Sequence, residues 1–249
     1  MVGKPLFERH TDIFWGAWMK DPRAHPQEMD HIWVTNHFTG KSLFIYESFE
    51  AFQKDSAFAV YELDEMFYGT GHVAYEGALI YHRSGNSEIV KYDLLRRSIV
   101  ARFHVPEASF NGRNCLYSTE HSYFDLAVDE NGLWLIYKVD DETAAESVRV
   151  TKLNAWNLQP ERVWDIAVRS QDYGNGFVAC GILYLVRDVH SKNTVIDFAY
   201  DLYSGERLQS VRLKFTNPFK MNNMLAYNPL EQKIYGWDRG NQITYPILI

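Results

Sequence analysis

The sequence has little of what marks nucleic-acid-binding, membrane-spanning or disulfide-rich proteins. Lys and Arg number 25 against 32 Asp and Glu, a formal net charge of -7, whereas proteins that bind the phosphate backbone need a basic excess. No apolar run approaches the roughly 20 residues of a membrane-spanning helix. The two cysteines, Cys115 and Cys180, allow at most one internal disulfide. We therefore predict no nucleic-acid partner and no direct membrane insertion.

Short motifs for catalysis and for zinc or phosphate binding are also missing. The nine histidines form no His-Glu-x-x-His motif, and neither Cys-x-x-Cys nor Gly-x-Ser-x-Gly occurs, so zinc sites and a hydrolase nucleophile lack a signature. The stretch Thr39–Ser42 resembles the end of a phosphate-binding loop. Thr35 stands where that loop needs a glycine, so we discard this interpretation.

Aromatic residues and a regular repeat are what the sequence does have. Aromatics make up 15% of the chain, and the apolar segments are short and separated by turn residues, a pattern typical of an all-β protein. Four segments repeat the order of apolar strand, tight turn and second strand: His72–Tyr81, Leu126–Trp134, Phe177–Tyr184 and Leu225–Tyr235. Their equivalent turn positions lie 55, 49 and 51 residues apart, at Gly77, Gly132, Gly181 and Gln232.

A period of about 50 residues with three or four strands per unit is typical of propeller blades, because helical repeats are shorter and contain helices. The N-terminal stretch His31–Phe49 contains a hairpin that supplies a fifth unit. The third strands of the other units are predicted at Ile89–Leu94, Val148–Leu153, Val195–Leu202 and Gln242–Ile247. We predict an all-β, five-bladed β-propeller. The alternative is a β-sandwich with coincidental spacing.

Several stretches are similar to the signature motifs of olfactomedin domains, in the same order and from about Trp15 to Tyr245. They are Gly16–Pro22, Gly69–Tyr75, Asp125–Tyr137, Asn175–Gly181, Asp197–Asp201 and Tyr227–Pro229. Within that family, Met224–Asn228 most resembles the gliomedin type, whose members bear collagen segments. The resemblance implies a five-bladed propeller, which the repeat count indicates separately, and a non-enzymatic extracellular recognition module.

The resemblance also implies a metal site. Calcium-binding olfactomedin domains hold the ion in the central channel, and the matching positions here are Asp125, Asn175, the carbonyl of Gly176 and the carbonyl of Leu225. The next position, a carboxylate in those proteins, is Ala226 in this chain. Calcium takes about six to eight oxygens, and its affinity follows the number of charged ligands. We therefore assign no definite cofactor. Sodium or weakly bound calcium is the candidate occupant of the channel.

Asp125 is also a candidate from its own surroundings. It lies between Phe124 and Leu126 in the innermost strand of a blade, so strand alternation turns its carboxylate into the channel. A buried carboxylate needs a partner, either a cation or hydrogen bonds from groups such as Asn175. The alternative function is a propeller hydrolase using Asp125, although two-carboxylate chemistry requires a second acid beside it.

The cysteines bear on where the domain begins. In the family, a cysteine just before the domain pairs in a disulfide with the one matching Cys180, but Met1–Lys4 contains none. We expect Cys180 to be a buried free thiol. Pairing with Cys115 stays open, because it depends on the Cα separation. We expect residues 1–249 to form a single domain cut from a larger extracellular protein, with residues 1–14 leading into it.

Recognition by propellers uses loops, which have no sequence period. The candidate loops are Phe49–Ala59, Pro106–Ser122, Val139–Glu146 and Ser170–Gly176. The acidic run Val139–Thr143 is either a solvated turn or a negative patch for a basic partner. Asp129–Gly132 predicts a hairpin turn with Asn131 and Gly132 as its loop.

The expected partner is a cell-surface or extracellular-matrix protein. The gliomedin resemblance implies immunoglobulin-superfamily adhesion molecules as the partner class. We expect the isolated domain to be a monomer and the full-length protein to oligomerise through upstream regions, which would supply multivalency.

Overall fold

The computed structural model describes residues 1–110, 115–139 and 147–247. Within them the strands form five antiparallel sheets, each of which is one blade of a β-propeller. This confirms the predicted fold class. We number the blades 1 to 5 in the chain order of their innermost strands.

The strands follow one another in a regular order. The chain begins with β1 (Leu6–His10), which belongs to blade 5. Blade 1 contains β2 (Gly16–Met19), β3 (Ile32–Asn36), β4 (Thr39–Tyr46) and β5 (Ala59–Tyr68). Blade 2 contains β6 (Val73–Tyr75), β7 (Ala78–His82), β8 (Glu88–Asp93) and β9 (Ser98–His104). Blade 3 contains β10 (Phe124–Asp129), β11 (Gly132–Tyr137), β12 (Ser147–Leu153) and β13 (Pro160–Ala167).

Blades 4 and 5 are less uniform. Blade 4 contains β14 (Asn175–Ala179), β15 (Ile182–Val186) and β16 (Asn193–Asp201), and β16 pairs with both β17 (Glu206–Arg207) and β18 (Leu213–Thr216). Blade 5 contains β19 (Asn222–Asn228), β20 (Lys233–Asp238) and β21 (Asn241–Pro246). In the part of the chain that the structure describes, helical structure is limited to α1 (Phe49–Gln53) and single 3-10 turns at Pro26–Glu28 and Ser170–Asp172. Among the described residues, no helix is long and apolar enough to cross a membrane.

The repeated sequence segments are the inner hairpins of blades 2 to 5. The loop Cys180–Gly181 has both residues at positive φ, 52° and 75°, which is the geometry that a two-residue hairpin turn requires and glycine supplies. The hairpin predicted at Asp129–Gly132 is present, but Asp129 pairs with Gly132 and the loop is Glu130–Asn131. The predicted third strands coincide with β8, β12, β16 and β21.

Blade 1 departs most from the sequence pattern. The predicted hairpin within His31–Phe49 is formed by β3 and β4, but the sequence revealed neither β2 nor β5. All four residues of β2 are buried, so it lacks the alternation that marks a half-exposed strand. The loop predicted at Phe49–Ala59 contains α1, whose first turn is capped by the Ser48 side chain accepting from the Ala51 N–H at 3.2 Å.

The ring is closed by a strand from near the start of the chain. β1 pairs with β21, with Leu6 opposite Thr244 and His10 opposite Asn241. The first 14 residues, which we expected to lead into the domain, thus include the outermost strand of blade 5.

Four clusters of buried apolar and aromatic side chains fill the spaces between neighbouring blades. Trp18, Trp134 and Trp237 are the largest fully buried side chains. Each large apolar side chain removed from water contributes roughly 1.5–3 kcal/mol. The core is therefore distributed around the ring, and adjacent blades stabilise one another.

The two faces of the propeller are defined by the ends of the innermost strands. On the upper face, where these strands begin, the Thr119 hydroxyl donates to the Gly174 carbonyl at 2.8 Å. On the lower face, where they end, the Asp21 carboxylate accepts from the Gly77 N–H at 2.7 Å. Contacts between successive blades therefore occur at both ends of the channel.

Candidate functional site

Asp125 lies on β10, with 5% of its surface exposed. The Tyr117 hydroxyl donates a hydrogen bond to its Oδ2 atom over 2.8 Å. Gly71 lies against the other oxygen, because a Cβ atom at residue 71 would be 2.8 Å from Oδ1 and from the Asp125 Cα. The segment before β6 can approach Asp125 this closely only because residue 71 is glycine.

Burial dominates the electrostatics of this carboxylate. It raises the pKa of Asp125 to about 7, and the hydrogen bond from Tyr117 lowers that pKa by a smaller amount. Burial also raises the pKa of Tyr117 well above its usual value, and the Asp125 charge adds to the rise. A charged, unpaired carboxylate is costly in such surroundings. Near neutral pH, this group therefore favours uptake of a proton or a cation.

Of the other predicted metal ligands, Gly176 lies beside Tyr117, the hydrogen-bond partner of Asp125. Asn175 and Gly176 begin β14, and the Asn175 Oδ1 atom accepts the Gly176 N–H at 2.8 Å. A Cβ atom on Gly176 would lie 2.8 Å from the Tyr117 hydroxyl. Tyr117 thus lies against both Asp125 and Gly176. The sequence did not single out Tyr117, because it lies in the irregular segment before β10.

Leu225 and Ala226 lie in β19, where Leu225 is buried and Ala226 is only half-buried. The Leu225 side chain packs with the cluster between blades 4 and 5, and the Ala226 methyl packs against the cluster that includes Trp18 and Tyr235. Among the described residues, no group of three or more His, Cys, Asp or Glu side chains could hold a metal ion. Calcium needs several charged or carbonyl oxygens. Occupation of this site by sodium or weakly bound calcium stays a prediction.

The hydrolase alternative depends on a second acid. The side-chain partner found at Asp125 is a tyrosine hydroxyl, whereas two-carboxylate hydrolysis requires another carboxylate at a defined separation. The geometry at Asp125 therefore does not favour this alternative.

At the lower end of β10, Asp129 is held by donors on every side. Its Oδ1 atom accepts from the Asn131 N–H at 2.8 Å and the Trp134 indole N–H at 2.7 Å, and its Oδ2 atom accepts from the Gly181 N–H at 2.6 Å. The Asn131 amide adds a fourth contact at 3.2 Å. Asp129 thus joins blade 3 to blade 4, which agrees with the interpretation of this stretch as a structural turn.

Glu130 and Cys180 lie beside this junction. The Glu130 carboxylate accepts from the Cys180 N–H at 2.9 Å and from the Tyr227 hydroxyl at 2.7 Å. Burial would raise the Glu130 pKa, but these hydrogen bonds outweigh it and hold the pKa below its usual value. The pKa of the Cys180 thiol is raised, by burial first and then by the Glu130 charge.

The expectation that Cys180 is buried is wrong. Cys180 is exposed and Cys115 is half-buried, and both thiols are free. Cys180 forms the tip of the two-residue hairpin loop after β14, a position that projects beyond the sheet. It lines a cavity of about 160 Å³ together with Met1 and Val2.

The predicted recognition loops differ in what the structure shows of them. Pro106–Ser122 contains Tyr117, and Ser170–Gly176 contains a 3-10 turn followed by the start of β14. The acidic run after Val139 lies outside the described residues. The sequence missed a groove on the lower face between blades 1 and 2, with a volume of about 640 Å³.

Comparison with known proteins gives one consistent result. The family model described as "Olfactomedin-like domain" matches residues 1–249. Myocilin from Rattus norvegicus is 33% identical over 252 residues, covering 99% of this chain and 50% of the relative. Myocilin from Homo sapiens is 32% identical, covering 99% of this chain and 49% of the relative. This chain therefore spans about half the length of these relatives.

A solved structure of Kuenenia stuttgartiensis hydrazine synthase aligns with 93% of this chain and 56% of its own, at a TM-score of 0.49 and 12% identity. That likeness is too weak to bear on function. The family match covers residues 1–249, and the myocilin identities extend over 99% of the chain. The chain belongs to the olfactomedin-like domain family.

Proposed function

We propose that this domain is a non-enzymatic extracellular recognition module, which binds a cell-surface or extracellular-matrix protein in cell adhesion or receptor binding. Its membership of the olfactomedin-like family and its propeller fold support a role in protein interaction. Propellers bind through loops on a rigid scaffold, so the exposed loops are the place to look for a binding surface.

One repeated feature of the lower face carries this proposal. In blades 2, 3 and 4 the third strand ends in a turn whose tip is a large exposed apolar side chain. Leu95 is 95% exposed, Trp156 75% and Tyr203 51%. Exposed apolar residues are common singly, but here three successive blades carry one at the same turn position, which supports a shared role in binding.

These tips are held in the same way. Asp93 accepts the Arg96 N–H at 2.7 Å, Asn154 accepts the Trp156 N–H at 3.0 Å, and Asp201 accepts the Tyr203 N–H at 2.8 Å. A side-chain oxygen that binds the backbone two or three residues later fixes a turn. The apolar tips are thus presented on ordered turns, which lowers the entropy lost when a partner binds.

The finer assignments belong to the same proposal. The gliomedin resemblance supports immunoglobulin-superfamily adhesion molecules as the partner class. The isolated domain would be a monomer of modest affinity, and upstream regions of the full-length protein would supply avidity. The channel would hold at most a sodium ion or weakly bound calcium.

Binding of streptavidin tetramers of the biotinylated domain to cultured cells tests the proposal. We expect saturable binding that trypsin treatment of the cells removes. The combined variant Leu95→Ser, Trp156→Ser and Tyr203→Ser should lose this binding. The matched control changes Leu6, Met66 and Val163 to Ser, because these are exposed at 53%, 44% and 48% but lie in outer strands. Binding that survives trypsin, or equal loss in both variants, would contradict the proposal.

A further inference from the structure

The groove of the lower face between blades 1 and 2 lies beside one of the three apolar tips. Trp33 and Ile45, exposed at only 3% and 2%, form its floor. Leu95 and Phe58 stand on its rim, exposed at 95% and 65%. Its volume of about 640 Å³ falls within the range of roughly 300–1,000 Å³ typical of ligand sites. A buried aromatic floor with exposed apolar side chains above it is suited to enclosing an apolar side chain.

The rim also has one cation whose charge is not neutralised. The Arg97 guanidinium stacks over the Tyr61 ring, 5.5 Å from its centroid, and within the described ranges it has no ion-pair partner. Arg23, the other arginine of the groove, faces Glu76 at 3.6 Å. Arginine stacked on an aromatic ring is held in place and keeps its donors available for a carboxylate.

The acidic side chains of the groove also differ in whether another group of the domain pairs with them. Glu76 faces Arg23, and the Asp93 carboxylate accepts the Arg96 N–H at 2.7 Å. Glu28, on the loop between β2 and β3, is exposed and has no ion-pair partner in the described part of the chain. Among the described residues, the groove thus has an arginine from blade 2 without an ion-pair partner and a glutamate from blade 1 whose carboxylate has neither an ion pair nor a hydrogen bond, with an apolar floor.

We propose that this groove binds an extended segment of a protein partner, in which an apolar side chain is flanked by an acidic and a basic residue. The apolar side chain packs between Leu95 and Phe58 over Trp33, the carboxylate pairs with Arg97, and the basic group faces Glu28. Complementary charges at the rim set orientation, and the enclosed apolar contact supplies most of the affinity. This inference rests on the proposed recognition function and names the place and chemistry of the contact.

The molecule supplies matched controls for each part of the groove. Leu230 is, like Leu95, an exposed leucine on a turn of the lower face, and its N–H donates to the Asn228 side chain at 3.0 Å. It belongs to blade 5 and does not line the groove. Arg162 stacks over Trp164 at 4.8 Å, as Arg97 does over Tyr61, and is also outside the groove. Variants at Leu230 and Arg162 therefore remove the same kind of group from a comparable setting.

The probe is a library of random 12-residue peptides displayed on phage, selected on the wild-type domain with the soluble Leu95→Ser/Arg97→Glu variant as competitor. We expect the selected peptides to be enriched in an aliphatic or aromatic residue flanked by Asp or Glu and by Lys or Arg. Affinities of the synthetic peptides are then measured by fluorescence anisotropy. Leu95→Ser and Arg97→Glu should each weaken binding roughly thirty-fold, whereas Leu230→Ser and Arg162→Glu should change it less than about threefold.

Several results would overturn the inference. These are a library that yields no binder, peptides without the charged flanks, or equal losses in the groove variants and their controls. Leu95 and Arg97 are exposed, so the variants should fold, and unchanged thermal unfolding checks this. Cell binding lost in the triple tip variant but kept in Leu95→Ser/Arg97→Glu would reject the groove and leave the recognition function intact. Peptide binding in the groove without any cell binding would support the groove and reject the proposed recognition function.

Discussion

Two aspartates on one strand of blade 3 differ in how they are held. Asp125 and Asp129 lie four residues apart on β10, exposed at only 5% and 2%. Asp129 accepts four hydrogen bonds, one of them from the next blade. Within the described ranges, Asp125 accepts one side-chain hydrogen bond, from the Tyr117 hydroxyl. At nearly equal burial, the number of donors separates a carboxylate that holds blades together from one that lacks enough partners.

The comparison shows which buried charges to examine for function. A carboxylate surrounded by protein donors is satisfied by the fold and stabilises it. A carboxylate with one donor in a closed site has capacity for a proton or an ion. Asp21, at the end of β2, follows Asp129 in this respect, since it accepts the Gly77 N–H at 2.7 Å and the Glu76 N–H at 3.1 Å.

The largest effect should come from removing the satisfied carboxylate. We expect Asp129→Ala to lower the free energy of unfolding by about 5 kcal/mol, because it leaves the Trp134 and Gly181 N–H groups buried without acceptors. Urea unfolding followed by fluorescence measures this loss. The control is Asp201→Ala, whose carboxylate accepts from Tyr203 and Ser204 within its own turn and should matter far less. A smaller loss for Asp129→Ala than for Asp201→Ala would refute the blade-junction role.

The second prediction concerns the pH dependence of stability at Asp125. Its pKa is about 7 in the folded protein and about 3.9 when unfolded, so the folded state binds the proton more tightly. Stability from this group is full below about pH 4 and falls as pH rises through 7. Asp125→Asn lacks the charge, so its stability relative to wild type should rise with pH, by up to about 4 kcal/mol.

Urea unfolding at pH 4.5, 6 and 8 in choline chloride with a chelator measures this difference, because the buffer then contains no sodium or calcium to neutralise Asp125. Groups that titrate equally in both proteins cancel. A stability difference that does not change between pH 4.5 and 8 would mean that Asp125 stays ionised, and the contrast with Asp129 would fail.

The blade count could be predicted from sequence because each inner hairpin repeats locally. Cys180–Gly181 and Glu76–Gly77 give tight turns by their own backbone preferences, and the spacing of such turns counts the blades. β1 could not be predicted in the same way. Its pairing with β21 joins residues more than 230 positions apart, and its mixed polar sequence shows no buried face.

The candidate site was predicted only in part. Asp125 stood out as an acid between two apolar neighbours in an inner strand. Tyr117 did not, because its position depends on how an irregular segment returns to the channel. The groove was also missed, since Trp33, Phe58 and Arg97 come from two blades and are distant in sequence. Side chains that meet only through tertiary packing leave no local period to detect.

A smaller effect is expected beside Asp129. The Glu130 charge raises the pKa of the Cys180 thiol, after burial, and thiolate is the reactive form. Glu130→Gln should therefore speed alkylation of Cys180 by iodoacetamide at pH 8, by about fivefold. Peptide mass spectrometry follows both thiols, and Cys115 serves as the internal reference, with an unchanged rate. No acceleration, or equal acceleration of both thiols, would contradict the assignment.

The smallest effect should be that of calcium on the wild-type domain. If the dissociation constant is near 1 mM, then 1 mM calcium adds about 0.4 kcal/mol, a rise in Tm of roughly 1 °C for a chain of this size. Ala226→Asp restores the carboxylate that the family resemblance places there, so calcium should raise the Tm of that variant by about 5 °C or more at saturation. Asp125→Asn in the same background should abolish the rise. A wild-type shift of several degrees, lost in Asp125→Asn, would show that one carboxylate with carbonyl and hydroxyl oxygens suffices, and Asp125 would then be as fully satisfied by its ion as Asp129 is by protein donors.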